Sequence, residues 1–168
     1  PIGYSSLNLL QSSGNTIVAV VVNLIPTMAI VYLITGGGFA LSVNLIFFAM
    51  AVVLGIVLNY YINFFVGTIC FYTESIWGIN IMKEVIVLLL SGASIPIAFF
   101  PETLQRVVHY LPFQAIYNTP LMLLIDNSLS TQERFSMLGI QVFWLIVVGS
   151  ISHVFFRISI RRVTVNGG

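Results

Sequence analysis

Long apolar runs, interrupted rather than alternated by polar residues, organise this chain. Four of them, at 16–35, 42–67, 79–94 and 135–156, are continuous and so lack the period of two that a half-buried strand or a membrane barrel requires. A bilayer-spanning helix takes about 20 mostly apolar residues, and the runs leave room for about four such helices. Asn15 or Thr16 can cap the first, Pro26 should kink it, and Gly36, Gly37 and Gly38 end it. Ahead of it, residues 1–14 mix Ser, Asn, Gln and Gly with apolar Tyr4, Leu7 and Leu10, a spacing that predicts a short interfacial helix. Pro96 and Pro101 break the third run. The stretch up to Pro120 stays apolar but carries Glu102, Arg106, His109, Pro112 and Gln114, which fits broken or re-entrant helices better than a simple span. A polar loop at 126–134 follows, and its Ser130, Thr131 and Glu133 resemble a helix start for the last run.

The predicted fold class is therefore all-α: a polytopic transmembrane helical bundle of about four spans, with a re-entrant or broken helical element before the last. Composition agrees, since 58% of the 168 residues are hydrophobic and 7% charged, against roughly a quarter charged in a soluble domain. Glu74 is the first charged side chain, which leaves no soluble surface for the first half of the chain. A net charge of +1, with six Lys plus Arg, removes the basic patch that a nucleic-acid partner would need. Cys70 is alone, so no internal disulfide forms, and no Cys/His cluster has metal-ligand spacing. The chain opens on Pro1 without a basic targeting segment, and the expectation is that it lacks the N-terminus of a longer protein.

Arg157, Arg161 and Arg162 close the chain, so the positive-inside rule puts the C-terminus in the cytoplasm. Four spans return the chain to its starting side. Residues 1–14 then form a cytoplasmic interfacial helix, 15–95 hold three spans, 96–134 form an external re-entrant region and loop, and 135–168 hold the last span and a basic cytoplasmic tail.

Polar residues inside the spans are the first candidates for function, because a buried amide in lipid needs a partner. Asn23, Asn44, Asn59 and Asn63 are of this kind. Gly55, Asn59, Asn63 and Gly67 recur every four residues as a stripe on the second span, either as packing contacts between helices or as the lining of a substrate path. Glu74, Lys83 and Glu84 read most simply as an interfacial charge cluster, although an ionisable residue at membrane depth would mark function. His109 and His153 lie near opposite faces without a second ligand or a nucleophile in helical register, so catalysis is not indicated. Gly36 to Gly38 lack the Lys-Ser/Thr of a phosphate loop, so the chain should not hydrolyse ATP itself.

Two stretches together resemble the permease subunits of type 2 ATP-binding-cassette (ABC) transporters. The first is Leu90-Ser-Gly-Ala-Ser-Ile-Pro-Ile-Ala-Phe-Phe-Pro-Glu-Thr-Leu104, continued by Tyr110-Leu-Pro-Phe-Gln114 and Tyr117-Asn-Thr-Pro120. It is similar to that family's Ser-Gly end of the fifth span, Pro-hydrophobic-Phe-Pro, short helix, Leu-Pro-Phe break and Tyr-x-x-Pro. The second is the tail Arg161-Arg-Val-Thr-Val-Asn-Gly-Gly168, which resembles the basic end of one bacterial branch, as Phe71-Tyr-Thr-Glu74 resembles that branch's aromatic-acidic junction.

The resemblance implies the third to sixth of six spans, a permease homodimer or heterodimer in the bacterial inner membrane, and a separate ABC ATPase that binds the ATP. No cofactor of its own is implied. The leading expectation is a permease subunit of an ATP-driven exporter; a secondary transporter is the nearest alternative and a polytopic membrane enzyme a more distant one. Tyr4, Leu7 and Leu10 are the expected coupling residues toward the ATPase. Asn23, Asn59 and Asn63 are expected along the pathway, and Pro96, Phe100, Pro101, Pro112 and Phe113 at an external gate.

Overall fold

The computed structural model describes residues 43–166, apart from positions 70, 74, 75 and 127 and the side chains at 43 and 162–166. The interfacial helix and first span expected at 1–35, with Tyr4, Leu7, Leu10 and Asn23, lie outside the described residues. Among those described, every regular element is helical: α1 (Val43–Ile69), α2 (Trp77–Leu90), a 3-10 turn (Ile97–Phe99), α3 (Glu102–His109), α4 (Gln114–Ile125) and α5 (Thr131–Asn166).

Two of these are long and apolar enough to cross a membrane, at Asn44–Ile69 and Thr131–Arg161, with mean hydropathies of 2.3 and 1.9. The first matches the expected second span closely, because 27 residues without proline or charge give nothing to stop a helix. The start of α5 is a capping box. Ser130 Oγ accepts the Glu133 N–H at 3.3 Å while the Glu133 carboxylate accepts the Ser130 N–H at 2.7 Å. Just before it, the Ser128 hydroxyl and N–H both donate to the Asp126 carboxylate and hold its pKa below the usual aspartate value.

Two boundaries differ from expectation. The helix expected at 79–94 ends at Leu90, because Gly92 adopts a left-handed φ of 79° and lets Ser94 N–H reach back to the Leu88 carbonyl at 3.4 Å. Glycine, not Pro96, stops it, and its 14 residues extend about 21 Å, short of a ~30 Å hydrocarbon core. The basic tail, in turn, is not separate from the last span. Helix α5 runs on through Arg157 and Arg161 to Asn166, 36 residues in all.

Packing fixes how the helices run. One buried cluster joins Leu58 and Ile62 of α1, Val87 of α2, and Ala115 and Ile116 of α4, with Trp144 and Val148 of α5 against it. A second joins Phe47 and Ala51 of α1 to Leu123 of α4 and Leu138 of α5. Helix α5 therefore runs parallel to α1, and α4 antiparallel to both. Helix α4 begins beside the middle of α1 and runs back to the end where α1 starts.

That contact is close because of two residues. Pro120 lacks an N–H, so the Ile116 carbonyl four residues earlier loses its helical partner. This carbonyl oxygen lies 2.8 Å from where a Cβ on Gly55 would stand, so only glycine lets α1 and α4 approach so nearly. Gln141 of α5, 1% exposed, donates its Nε2 to the Ala115 carbonyl at 2.6 Å and the Ala51 carbonyl at 3.1 Å, tying three helices at one point. Gly55→Ala should destabilise the bundle by about 1–3 kcal/mol, because the carbonyl it meets is backbone and cannot swing away. Gly67→Ala, with nothing within 4 Å of the added methyl, should leave thermal unfolding of the purified protein unchanged or slightly raised.

Candidate functional site

Helix α1 presents Asn59 and Asn63 one turn apart, on a single face. Helix α2 passes this face because Val87 packs on Leu58 and Ile62, and α4 brings Tyr117 up beside it. Between the three lies a groove of about 470 Å³, lined by the polar residues Asn59, Asn63, Lys83, Glu84 and Tyr117 and the apolar Ile81, Val85, Val87 and Leu88. The volume falls in the range of small-molecule sites, and so does the mixture of an apolar wall with a few convergent polar groups.

Lys83 sets the electrostatics. Its Nζ donates to Asn63 Oδ1 at 2.6 Å, a charge-assisted bond that joins α2 to α1. Its side chain is 16% exposed, while Glu84, whose Oε1 lies 3.9 Å from the ammonium, is 72% exposed. Adjacent residues on a helix point about 100° apart, so the carboxylate opens outward while the ammonium stays in the groove. The arrangement can bind and orient a polar group; it places no nucleophile beside a base among the described residues.

The expected site residues separate under this geometry. Asn59 and Asn63 come together in the groove, and the four-residue stripe divides: Gly55 packs on α4, the two asparagines line the groove, and Gly67 is open. Of the gate candidates, Pro96 and Pro101 precede the 3-10 turn and α3, and both are exposed. Phe100 lies between these two elements, half-buried, with its carbonyl accepting Gln105 Nε2 at 2.7 Å. Pro112 and Phe113 sit at the start of α4, where Phe113 packs against the cluster around Leu58 and Val87. The gate candidates thus fall at two places in the chain fold rather than one.

With that geometry in hand, the family model described as ABC-2 family transporter protein matches residues 4–167 of the chain. The chain belongs to this family. No curated protein and no solved structure matches it. As an ABC-2 family membrane protein it exposes apolar side chains such as Phe143 (58%) and Ile146 (60%) along α5, a surface suited to lipid or to another helix and not to water.

Several polar residues of this ABC-2 chain were not singled out by sequence reasoning. Gln141 and Ser152 lie mid-span and could have been found by the rule that picked the asparagines. Ser152 Oγ reaches the carbonyls of Val148 at 2.7 Å and Tyr61 at 3.0 Å. Ser159 extends the same face, with its Oγ on the Phe155 carbonyl at 2.8 Å and 3.1 Å from the Tyr72 hydroxyl. Arg134, assigned to a loop by sequence, is buried in the first turn of α5. Lys83 was visible, but its place in the groove depends on α2 crossing α1 at Asn63, which no local pattern encodes.

A double-mutant cycle on Asn63→Leu and Lys83→Met tests the link between α1 and α2. Thermal or denaturant unfolding should show the two changes coupled by about 1–2 kcal/mol, with Asn63→Leu alone costing more because it leaves the ammonium without its acceptor.

Proposed function

We propose that the chain is the permease subunit of an ATP-driven ABC exporter in the cell membrane, supplying the substrate path while a separate ATPase supplies the energy. The observation that carries this reading is a groove with polar groups from three helices inside a chain of a transporter family. In this reading Asn59 and Asn63, with Asn23 of the preceding span, line the path, and Lys83 joins them. Tyr4, Leu7 and Leu10 dock the ATPase on the cytoplasmic side. The permease works as a homodimer or heterodimer, has no cofactor of its own, and carries out no chemistry on its substrate.

Helix α4 acts as the exit limb of a re-entrant element. Its first turn, just after Pro112 and Phe113, sits beside Leu58, near the middle of α1, and its last turn packs beside the start of α1, which in this reading faces outward. Lipid-buried backbone that departs from a continuous helix must be covered by protein, and the clusters on α1 and α5 cover it. Pro96, Phe100 and Pro101 flank the outer part of this element, and Phe113 closes the path from below. Cytoplasmic rearrangement on ATP binding would reach the gate through α1, which contacts both α2 and α4.

The test uses the complete permease with its ATPase. Replacing the phosphate-loop lysine of the ATPase should abolish substrate efflux from energised cells, while dissipating the proton gradient with ATP maintained should leave efflux largely intact. The opposite pattern would identify a secondary transporter. Orientation is checked separately by single-cysteine labelling with Cys70 replaced by serine. Ser128→Cys, in the exposed loop before α5, should react with an impermeant maleimide in intact cells. Labelling only after lysis would reverse the topology.

A further inference from the structure

We infer that the groove between α1, α2 and α4 binds the head of a zwitterionic amphiphile, its anionic group on Lys83 and its primary ammonium on Glu84. The inference goes beyond the transport reading and does not require it, since a lipid that stays bound would satisfy it equally.

Charge balance is the first argument. An ammonium has three donors, and Lys83 gives one to Asn63; the Glu84 carboxylate, at 3.9 Å, stands beyond hydrogen-bond distance. Among the described residues the groove therefore offers unused donors and, close by, an open carboxylate. A purely anionic head would meet Glu84, and a purely cationic one would meet Lys83. A head that pairs a phosphate with an ammonium meets both with opposite charge.

The second argument is the wall. Ile81, Val85 and Leu88 line the groove and are themselves exposed, so its apolar side is continuous with the outward surface of α2. An acyl chain can leave the groove along that surface without passing a polar barrier. Asn59 and Tyr117 supply an amide and a hydroxyl suited to neutral ester or glycerol oxygens. A primary ammonium is favoured over a quaternary one because it donates hydrogen bonds to the carboxylate, which a methylated nitrogen cannot do.

The full protein, delipidated in mild detergent, can be titrated with phosphatidylethanolamine, phosphatidylglycerol and phosphatidylcholine by native mass spectrometry. Phosphatidylethanolamine should bind at least fivefold more tightly than either of the others. Lys83→Gln should weaken it about tenfold. Glu84→Gln should invert the preference, so that phosphatidylglycerol becomes the tighter ligand. Glu84 is exposed and its exchange leaves packing intact, so this variant decides the matter even where Lys83→Gln folds poorly. Equal binding of the three lipids, or a ranking unchanged by Glu84→Gln, overturns the assignment. Soluble phosphoethanolamine should fail to compete at the same concentration; full competition would remove the role of the apolar wall. Efflux plays no part in these readouts, so failure of the exporter reading would leave them unaffected.

Discussion

Inside an apolar bundle every backbone carbonyl needs a donor, and between Pro96 and Pro120 this chain repeatedly removes the donor that a helix would supply. Glutamine side chains tie the pieces on either side of these breaks to one another and to the neighbouring helices. Gln105 gives its Nε2 to the carbonyls of Ala98 at 3.2 Å and Phe100 at 2.7 Å, holding the 3-10 turn onto α3. Gln114 gives its own to the carbonyl of His109, the last residue of α3. Gln141, from another helix, reaches Ala115 and Ala51. Each bond contributes about 1 kcal/mol, but their larger effect is to make one broken path of the chain the favoured one.

The groove follows from the same breaks. Because Gly92 stops α2 early and α4 starts only at Gln114, two short helices lie along α1 where one long span would otherwise stand. A continuous helix would pack evenly against α1 and bury Asn63. Two partial ones meet it at different places, Val87 near Ile62 and Ile116 near Gly55, and leave polar side chains facing a recess. In the proposed permease this is useful twice over: short helices can shift against a long one at low cost, and the recess carries the groups that a substrate or lipid head requires.

Sequence reading reached the helical class, the span at α1, the capping box at Ser130 and the proline-broken character of 96–120 because each is written in neighbouring residues. It also reached the family, through motifs spread along the chain. It placed the end of α2 at Ser94, just before Pro96, because proline is the stronger breaker in general, yet Gly92 acts first through a backbone angle that only tertiary context selects, with Ile97 and Asn118 crowding the place where a β carbon would stand. The Gly55 to Gly67 stripe looked uniform because spacing is uniform; its members differ only in what lies opposite. Lys83 belonged to a charge cluster in sequence and to a groove in space, since its partner Asn63 stands twenty residues away.

The re-entrant reading turns on depth: the chain reaches the middle of the bilayer before Gln114, and α4 carries it back to the surface. Spin labels placed singly at Tyr117, Leu121 and Ile125, all exposed positions, would report depth from their relative access to oxygen and to a water-soluble nickel chelate in the reconstituted protein. The account predicts a steady gradient, with position 117 deepest and position 125 at the headgroups. Equal depth at all three positions would describe a helix lying flat on the surface and would contradict it.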